Sequence, residues 1–572
     1  MLSKPLLSRV MTIFSRVTPR RIRPVHALLI LVVISVVFLS RSRHNHPGQA
    51  ANQSAFTYTD GQTSRPWEEV GTPPPPPRVA PETAWLNDVV DAAGLPKDVR
   101  YFSLRIKPEL NETRPTMTFL DEPFMHSGFR GVRSDSDVKL AADRTVHLPI
   151  APGPKMTEVD ASSLLFAIST SYARLTRDGD AIIRDWTRWL TNGKRKTNGA
   201  NLVLTLRQAD KTQVETISEK LKKAGIQAMV SAEEAADSPT RYMELIRFLA
   251  VRTTAKEFEA FSQKKYLAVI DDDTFFPDIG RLLEALKPFN PAEAHYIGMP
   301  SERSDWVVDA AQTVTYGGGA VFFTPPAAVK VSQLSCLGMG PVTQDENGQE
   351  QIGPGTLGFT SQWDHLLYDC VSSYTGLKMQ VLPSFYLPSD EKYGQHFFNY
   401  DLGIQPLTLH RPRNRHLLDP GKATSLSPLF NPSTFLQRYN FNDKWVLVNG
   451  YTLSHYAAGS STARLGSPGA PAPNAERRVK NMRPLKPNLS IHEEGRNPGD
   501  WDVVTWAGSR RVWNFIDARR DMQTGEVWHA YVRRKDDAGE FTDNRRNEDK
   551  SGYDYVIVLI WEPLPEDQAK EA

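Results

Sequence analysis

Through the middle of the chain, short apolar runs alternate with longer amphipathic stretches. Leu164 to Ser169 (LLFAIS) has the length of a buried strand, and behind it Ala181, Ile182, Trp186 and Trp189 recur at helical spacing. The unit then repeats. Leu202 to Leu206 (LVLTL) leads into a polar helix through Ile217 and Leu221 that Gly225 closes, and Ile226 to Val230 predicts another strand. Tyr242, Leu245, Ile246 and Leu249 share one helical face ahead of Tyr266 to Ile270 (YLAVI). Strands alternating with helices of this length predict an α/β fold, a mostly parallel sheet covered on both faces. In such sheets ligands bind beyond the carboxyl ends of the strands.

The two ends of the chain differ from this middle. Ala27 to Leu39 is apolar except for Ser35, and Lys4, Arg9, Arg16, Arg20, Arg21 and Arg23 precede it with no acidic residue. That asymmetry keeps the N-terminus cytoplasmic and places the rest in a lumen. The run falls short of the about 20 residues that usually span a bilayer, which leaves a cleaved signal peptide open. Ser40, Arg41, Ser42 and Arg43 make a poor cleavage site, so a retained anchor in membrane lipid is favoured, in the Golgi or endoplasmic reticulum. The polar chain after it ends in Pro73 to Pro77, a stiff polyproline II spacer. Sequons at Asn52, Asn111 and Asn488 suit a luminal glycoprotein, whereas Asn431 is excluded by the proline after it.

Beyond about Arg415 the pieces KWVLVNGYTLSHY, WDVVTWAG, EVWHAYVRR and YDYVIVLIWEP alternate as strands do, and residues 500–562 read as a small β-rich module. Trp501, Trp506, Trp513, Trp528 and Trp561 fit either a carbohydrate-stacking surface or a β core. The expected divisions are a basic tail (1–25), an anchor (26–40), a Pro-rich stalk (41–100), a catalytic domain (101–420) and a β-rich accessory region (421–572).

At 572 residues the chain exceeds what one core usually supports, and its 42 prolines fit long linkers. With 68 basic and 66 acidic side chains it lacks the electrostatic footprint of a nucleic-acid binder. Cys336 and Cys370, its two cysteines, do not have zinc-site spacing. Paired in an oxidising lumen they would close a loop of about 35 residues worth about 4 kcal/mol; two buried thiols are the alternative.

Asp271, Asp272 and Asp273 follow YLAVI directly, at the carboxyl end of a strand apolar enough to be central. Like charges about 4 Å apart repel by about 4 kcal/mol at an effective dielectric of about 20, so three crowded carboxylates call for a cation. Mg²⁺ or Mn²⁺ would take one or two of them and fill its remaining positions with water and substrate phosphate. A solvated turn capping the helix that starts near Pro277 is the plain alternative. A calcium loop counted from Asp271 fails because Phe276 stands where glycine is needed. A phosphatase with Asp271 as nucleophile fits less well, since Phe275 occupies a position expected to be small.

In order, LLFAISTSYARL, NLVLTL, YLAVIDDDTFF, YIGMPSE, TYGGGAVFFTPPA, WDHLLYDCV and PLTLHRP resemble the motifs of fringe-like glycosyltransferases of family 31, especially fungal members, over about residues 160–415. The resemblance implies a GT-A nucleotide-sugar-binding fold, inversion at the anomeric carbon, and Mn²⁺ or Mg²⁺ as cofactor. It implies transfer from a nucleoside diphosphate sugar, here a UDP-sugar making a β-1,3 linkage, to a glycan or glycoprotein acceptor. Asp271 and Asp273 then match the outer carboxylates of the metal motif with Asp272 between them, and His410 in PLTLHRP matches the histidine that completes the metal shell. Asp364 matches the base facing the acceptor, although Trp363 and His365 depart from the family pattern and leave Asp369 as a second candidate. Gly318 and Gly319 could lie close to a sugar, and Thr170 and Arg174 match a nucleotide-contacting turn. A luminal carbohydrate- or nucleotide-sugar-binding protein that has lost turnover is the competing reading.

Overall fold

The computed structural model describes residues between 81 and 564, apart from internal stretches of which 299–319, 383–399 and 465–501 are the longest. The expected anchor, the three sequons, Cys336, Gly318 and Gly319 lie outside the described residues. No described helix is long and apolar enough to cross a membrane.

Residues 81–100, assigned to the stalk from the sequence, are folded, and the remainder of that stretch lies outside the described residues. Helix α1 (Pro81–Ala92) buries Trp85, Leu86, Val89 and Val90, whose spacing puts them on one helical face. Strands β1 (Asp98–Leu110), β2 (Met117–Leu120), β3 (Arg130–Arg133) and β4 (Arg144–Ile150) follow.

The central region alternates as its pattern predicts. Strand β5 (Leu164–Thr170) is followed by helices α2 (Tyr172–Leu175) and α3 (Ala181–Leu190), and β6 (Asn201–Arg207) by α4 (Lys211–Ala224). Helix α4 opens on a reciprocal cap between Asp210 and Gln213 and closes on Gly225 at φ 84°. A Cβ on Gly225 would stand 2.3 Å from the Arg195 backbone, so only glycine fits. Next come β7 (Ala228–Glu233), α5 (Ser238–Thr254), β8 (Tyr266–Ile270), β9 (Thr274–Phe275), α6 (Ile279–Leu286) and β10 (Tyr296–Gly298). After them lie β11 (Ala320–Phe323), α7 (Pro325–Ser332), the hairpin of β12 (Val342–Gln344) and β13 (Glu350–Ile352), α8 (Trp363–Tyr374) and β14 (Met379–Val381).

Seven of these strands form one sheet in the order β14-β10-β11-β8-β5-β6-β7, antiparallel only where β11 enters. Period-2 alternation divides its two faces. Leu164, Phe166 and Ile168 pack with Trp186 and Trp189, whereas Leu165 and Ala167 pack with Tyr242, Ile246 and Trp363. Helices thus cover both sides, and the fully buried β5 and β8 lie side by side at the centre.

The rest of the chain runs through β15 (Leu409–His410), α9 (Pro412–Arg415), α10 (Pro420–Ala423), β16 (Arg438–Phe441), β17 (Trp445–Val448) and β18 (Thr452–Tyr456). It ends with the pair β19 (Ser460–Arg464) and β20 (Asp502–Trp506), then β21 (Ser509–Arg520), β22 (Val527–Arg533), β23 (Glu540–Phe541) and β24 (Tyr555–Trp561). The order β2-β16-β17-β18-β21-β22-β24-β1-β3, with β4 beside β1 and β23 beside β21, makes a second, eleven-stranded sheet. Residues 500–562 are therefore not a module apart, because β24 pairs in parallel with β1, Arg100 opposite Tyr555 through Ile106 opposite Trp561. One apolar core joins the two sheets, with Phe102, Trp189, Trp445 and Trp561 among its members. Trp513, Trp528 and Trp561 are buried and belong to the core. Cys370 is buried and disulfide-bonded.

Candidate active site

Strand β8 is buried at all five positions, so the chain emerges from it at the carboxyl end of the sheet with Asp271, Asp272 and Asp273 in succession. Each carboxylate is held differently. Asp271 accepts hydrogen bonds at Oδ1 from Trp363 Nε1 (2.8 Å) and the Tyr242 hydroxyl (3.0 Å), and its Oδ2 lies 2.9 Å from His410 Nε2. Tyr242 and Trp363 are themselves stacked, with centroids 4.3 Å apart and planes 5° from parallel. Asp272 is buried and accepts from Thr170 Oγ1 and from Arg174 Nε (2.5 Å), while its carbonyl accepts from Trp186 Nε1. Asp273 takes Arg174 Nη2 at 2.8 Å, and its Oδ1 lies 3.5 Å from His410 Nε2.

Burial pushes all three carboxyls upward. At Asp271 the hydrogen bond and charge of His410, aided by Trp363, outweigh burial and hold the carboxyl below its usual range. His410, Arg174 and Arg411 do the same at Asp273. At Asp272 burial prevails over Arg174 and Thr170, and the pKa is raised. Burial, then the neighbouring carboxylates, keep the Tyr242 hydroxyl protonated well above its normal pKa, so it stays a donor.

A two-residue ladder places His410: Leu409 pairs with Phe275 and His410 with Thr274. Arg411, in the left-handed region at φ 54°, then donates its N–H to the Asp273 carbonyl at 3.0 Å. Arg413 grips Asp185 on α3 with both terminal nitrogens, fixing the segment behind His410.

One ligand atom each from Asp271, Asp273 and His410 lie within 4.8 Å of one another. An octahedral ion with bonds of about 2.1 Å sets adjacent donors about 3 Å apart, and His410 Nε2 stands 2.9 Å from Asp271 Oδ2 and 3.5 Å from Asp273 Oδ1, near that spacing. Two carboxylates and one imidazole form a donor set that a first-row divalent ion accepts.

Asp271, Asp272, Asp273, His410, Thr170 and Arg174 thus meet in one place, while Gly318 and Gly319 lie outside the described residues. Thr170 and Arg174 touch the acids directly. Asp364 is buried in the first turn of α8, one residue from the indole that holds Asp271. Sequence reasoning did not assign Tyr242, Trp186 and Arg411 to the site. Tyr242 and Trp186 read as core residues from their helical spacing, and Arg411 had no signal beyond adjacency to His410. Trp363, noted as a departure from the family pattern, is an anchor for Asp271.

No protein-family description matches the chain, and no curated protein sequence does. Among solved structures it is similar to a glycosyltransferase from Streptococcus pneumoniae at 13% identity and TM-score 0.26, over 43% of this chain and 54% of that one. It is also similar to mouse xyloside xylosyltransferase 1 in the apo form, at 14% identity and TM-score 0.25, over 44% of this chain and 98% of that one. The chain spans about half the length of the pneumococcal protein. Likenesses this distant decide neither family nor activity, and the function proposed next rests on the geometry of the acid cluster.

Proposed function

We propose that the chain is a metal-dependent glycosyltransferase that draws its sugar from a nucleoside diphosphate donor. The convergence of Asp271, Asp273 and His410 at the carboxyl end of β8, with Arg174 beside them, carries this reading. When bound, Mn²⁺ or Mg²⁺ would neutralise charge on the leaving diphosphate. The protein's own part is to hold and orient. Tyr242 and Trp363 hold Asp271 through Oδ1, as a ligand kept in place requires, and leave Oδ2 beside His410 Nε2 to face an ion. Phe275, where the phosphatase pattern expects a small residue, disfavours that alternative.

Arg174 remains 42% exposed despite its two ion pairs, within reach of an incoming diphosphate. Inversion by direct displacement needs one base for the acceptor hydroxyl, and Asp364 takes that role at the start of the helix that touches Asp271. Asp369 on the same helix is the second candidate. The ordered motifs support the finer reading: fringe-like, UDP-sugar-dependent transfer making a β-1,3 linkage on a glycan or glycoprotein acceptor. The charge asymmetry around Ala27 to Leu39 supports a Golgi or endoplasmic reticulum membrane setting with the sheets in the lumen.

Titrating UDP-sugars into the protein with Mn²⁺ and then with chelator tests the core claim. Affinity should collapse with chelator and in Asp271→Asn and Asp273→Asn, with circular dichroism unchanged. Chelator-insensitive binding would remove the metal. Donor that binds but is neither transferred nor slowly hydrolysed would instead support the competing reading, a binding protein without turnover.

A further inference from the structure

Two guanidiniums approach one carboxylate oxygen. Arg174 Nη2 stands 2.8 Å and Arg411 Nε 3.8 Å from Asp273 Oδ2, while Oδ1 of the same carboxylate faces His410. The two arginines differ in what else holds them. Arg174 is tied down by a second ion pair, with Nε 2.5 Å from Asp272 Oδ2. Arg411 is not, because 3.8 Å lies beyond hydrogen-bond length and its guanidinium makes no hydrogen bond to any described residue. Its side chain is 49% exposed.

The backbone keeps that free guanidinium beside the acids. Arg411 sits at φ 54°, a region that glycine adopts freely and a long side chain seldom does, and Pro412 after it restricts the chain further. Its N–H donates to the Asp273 carbonyl at 3.0 Å, and its own carbonyl accepts from the Asn414 N–H at 3.0 Å. Arg413 anchors the same turn on the buried Asp185. A conformation of this kind persists only where its surroundings over-determine it, and such positions cluster at ligand clamps.

Charge says what the clamp is for. With His410 neutral and the acids ionised, the three carboxylates and two guanidiniums leave one negative charge, which a divalent ion on Asp271, Asp273 and His410 turns into one positive charge. Only the loaded site attracts an anion. An ion on these three ligands keeps positions for substrate phosphate, and a guanidinium fork matches phosphate oxygens in pairs.

We infer that Arg411, rather than the tied-down Arg174, is the arm that grips the donor's diphosphate. The inference rests on the nucleoside diphosphate reading above. UDP titrated calorimetrically into the full chain with saturating Mn²⁺, beside Mn²⁺ titrated alone, tests it. Arg411→Gln should weaken UDP by about 10- to 100-fold, as loss of a charged hydrogen bond does, while Mn²⁺ affinity does not fall, because Arg411 supplies no ligand atom. Arg411→Lys keeps the charge and loses the fork, so its UDP affinity should lie between the two. A turn that only props up His410 would lose Mn²⁺ and UDP affinity together, and an arginine that serves the acceptor would leave UDP affinity unchanged in both variants. Either result overturns the inference and leaves the transferase reading standing. Wild-type protein that binds Mn²⁺ but no UDP would overturn both.

Discussion

At the carboxyl end of β8, three consecutive carboxylates are each held by partners from several separate segments: α2, α5, α8 and the β15 turn. In the large sheet one buried histidine is held by far less. His529 is fully buried, takes one hydrogen bond with Ser425 at 2.7 Å, and has no partner at Nδ1. The first region spends many side chains on orienting a few oxygens, at the cost of crowding negative charge. The second gains its stability from packed β-branched and aromatic residues and tolerates an unsatisfied nitrogen. Orientation is required only where a reacting or ligating atom must be held still.

The largest effect that would sharpen this contrast is on rate. Asp364→Asn keeps shape and removes basicity, so transfer should fall by about 10²- to 10⁴-fold while metal and donor binding persist. Near-normal transfer would move the role to Asp369, tested by the same substitution there.

Stability comes next. Trp561→Ala opens a cavity in the core shared by both sheets and should cost about 3–5 kcal/mol in denaturant unfolding, in a single transition. Two transitions, with metal-dependent donor binding surviving the first, would show that the sheets are energetically separate.

Trp363→Phe retains the stack on Tyr242 but deletes the N–H that holds Asp271. Metal affinity, read by calorimetry, should drop by about 10- to 100-fold with little change in thermal stability. Unchanged affinity would mean that Asp271 does not depend on this support.

A last test, confined to acid conditions, addresses the large sheet. Burial pushes the His529 imidazole down from its ordinary 6.5 to about 3. The unfolded chain therefore binds the proton first as pH falls. The stability due to neutral His529 is complete above about pH 6.5 and is lost toward about pH 3, by about 1.4 kcal/mol per unit. His529→Gln should flatten the acid limb of stability against pH between about 6 and 4, and an unaltered slope would place the acid sensitivity elsewhere.

Much of the parallel sheet was legible in the sequence because its signals are local. The continuous apolar runs LLFAIS and YLAVI, helical spacing in α3 and α5, and Gly225 at a left-handed cap each act within a few residues. The metal trio was reached only through motif resemblance, since His410 lies 139 residues from Asp271 and the ladder that aligns them leaves no periodic trace. The roles of Tyr242 and Trp186 were hidden for another reason. An aromatic residue on the apolar face of a helix reads as core, and the polar atom at its tip finds its partner only in three dimensions. The joining of β1 to β24 was likewise illegible, because strands paired across the whole fold carry the same alternation as strands paired in a hairpin.

That last pairing bears on how the protein is made. Arg105 and Glu562, joined by an ion pair at the rim of the β1–β24 ladder, are 457 residues apart. One edge of β1 can be covered early by β3 and β4, which leave the ribosome soon after it. The other edge waits for almost the entire remaining chain, about 20 to 90 seconds at typical synthesis rates of about 5–20 residues per second. Loop-closure entropy rises only with the logarithm of length, so this delay hardly weakens the finished protein. During translation, however, an apolar strand edge stands open to unwanted pairing until β24 arrives.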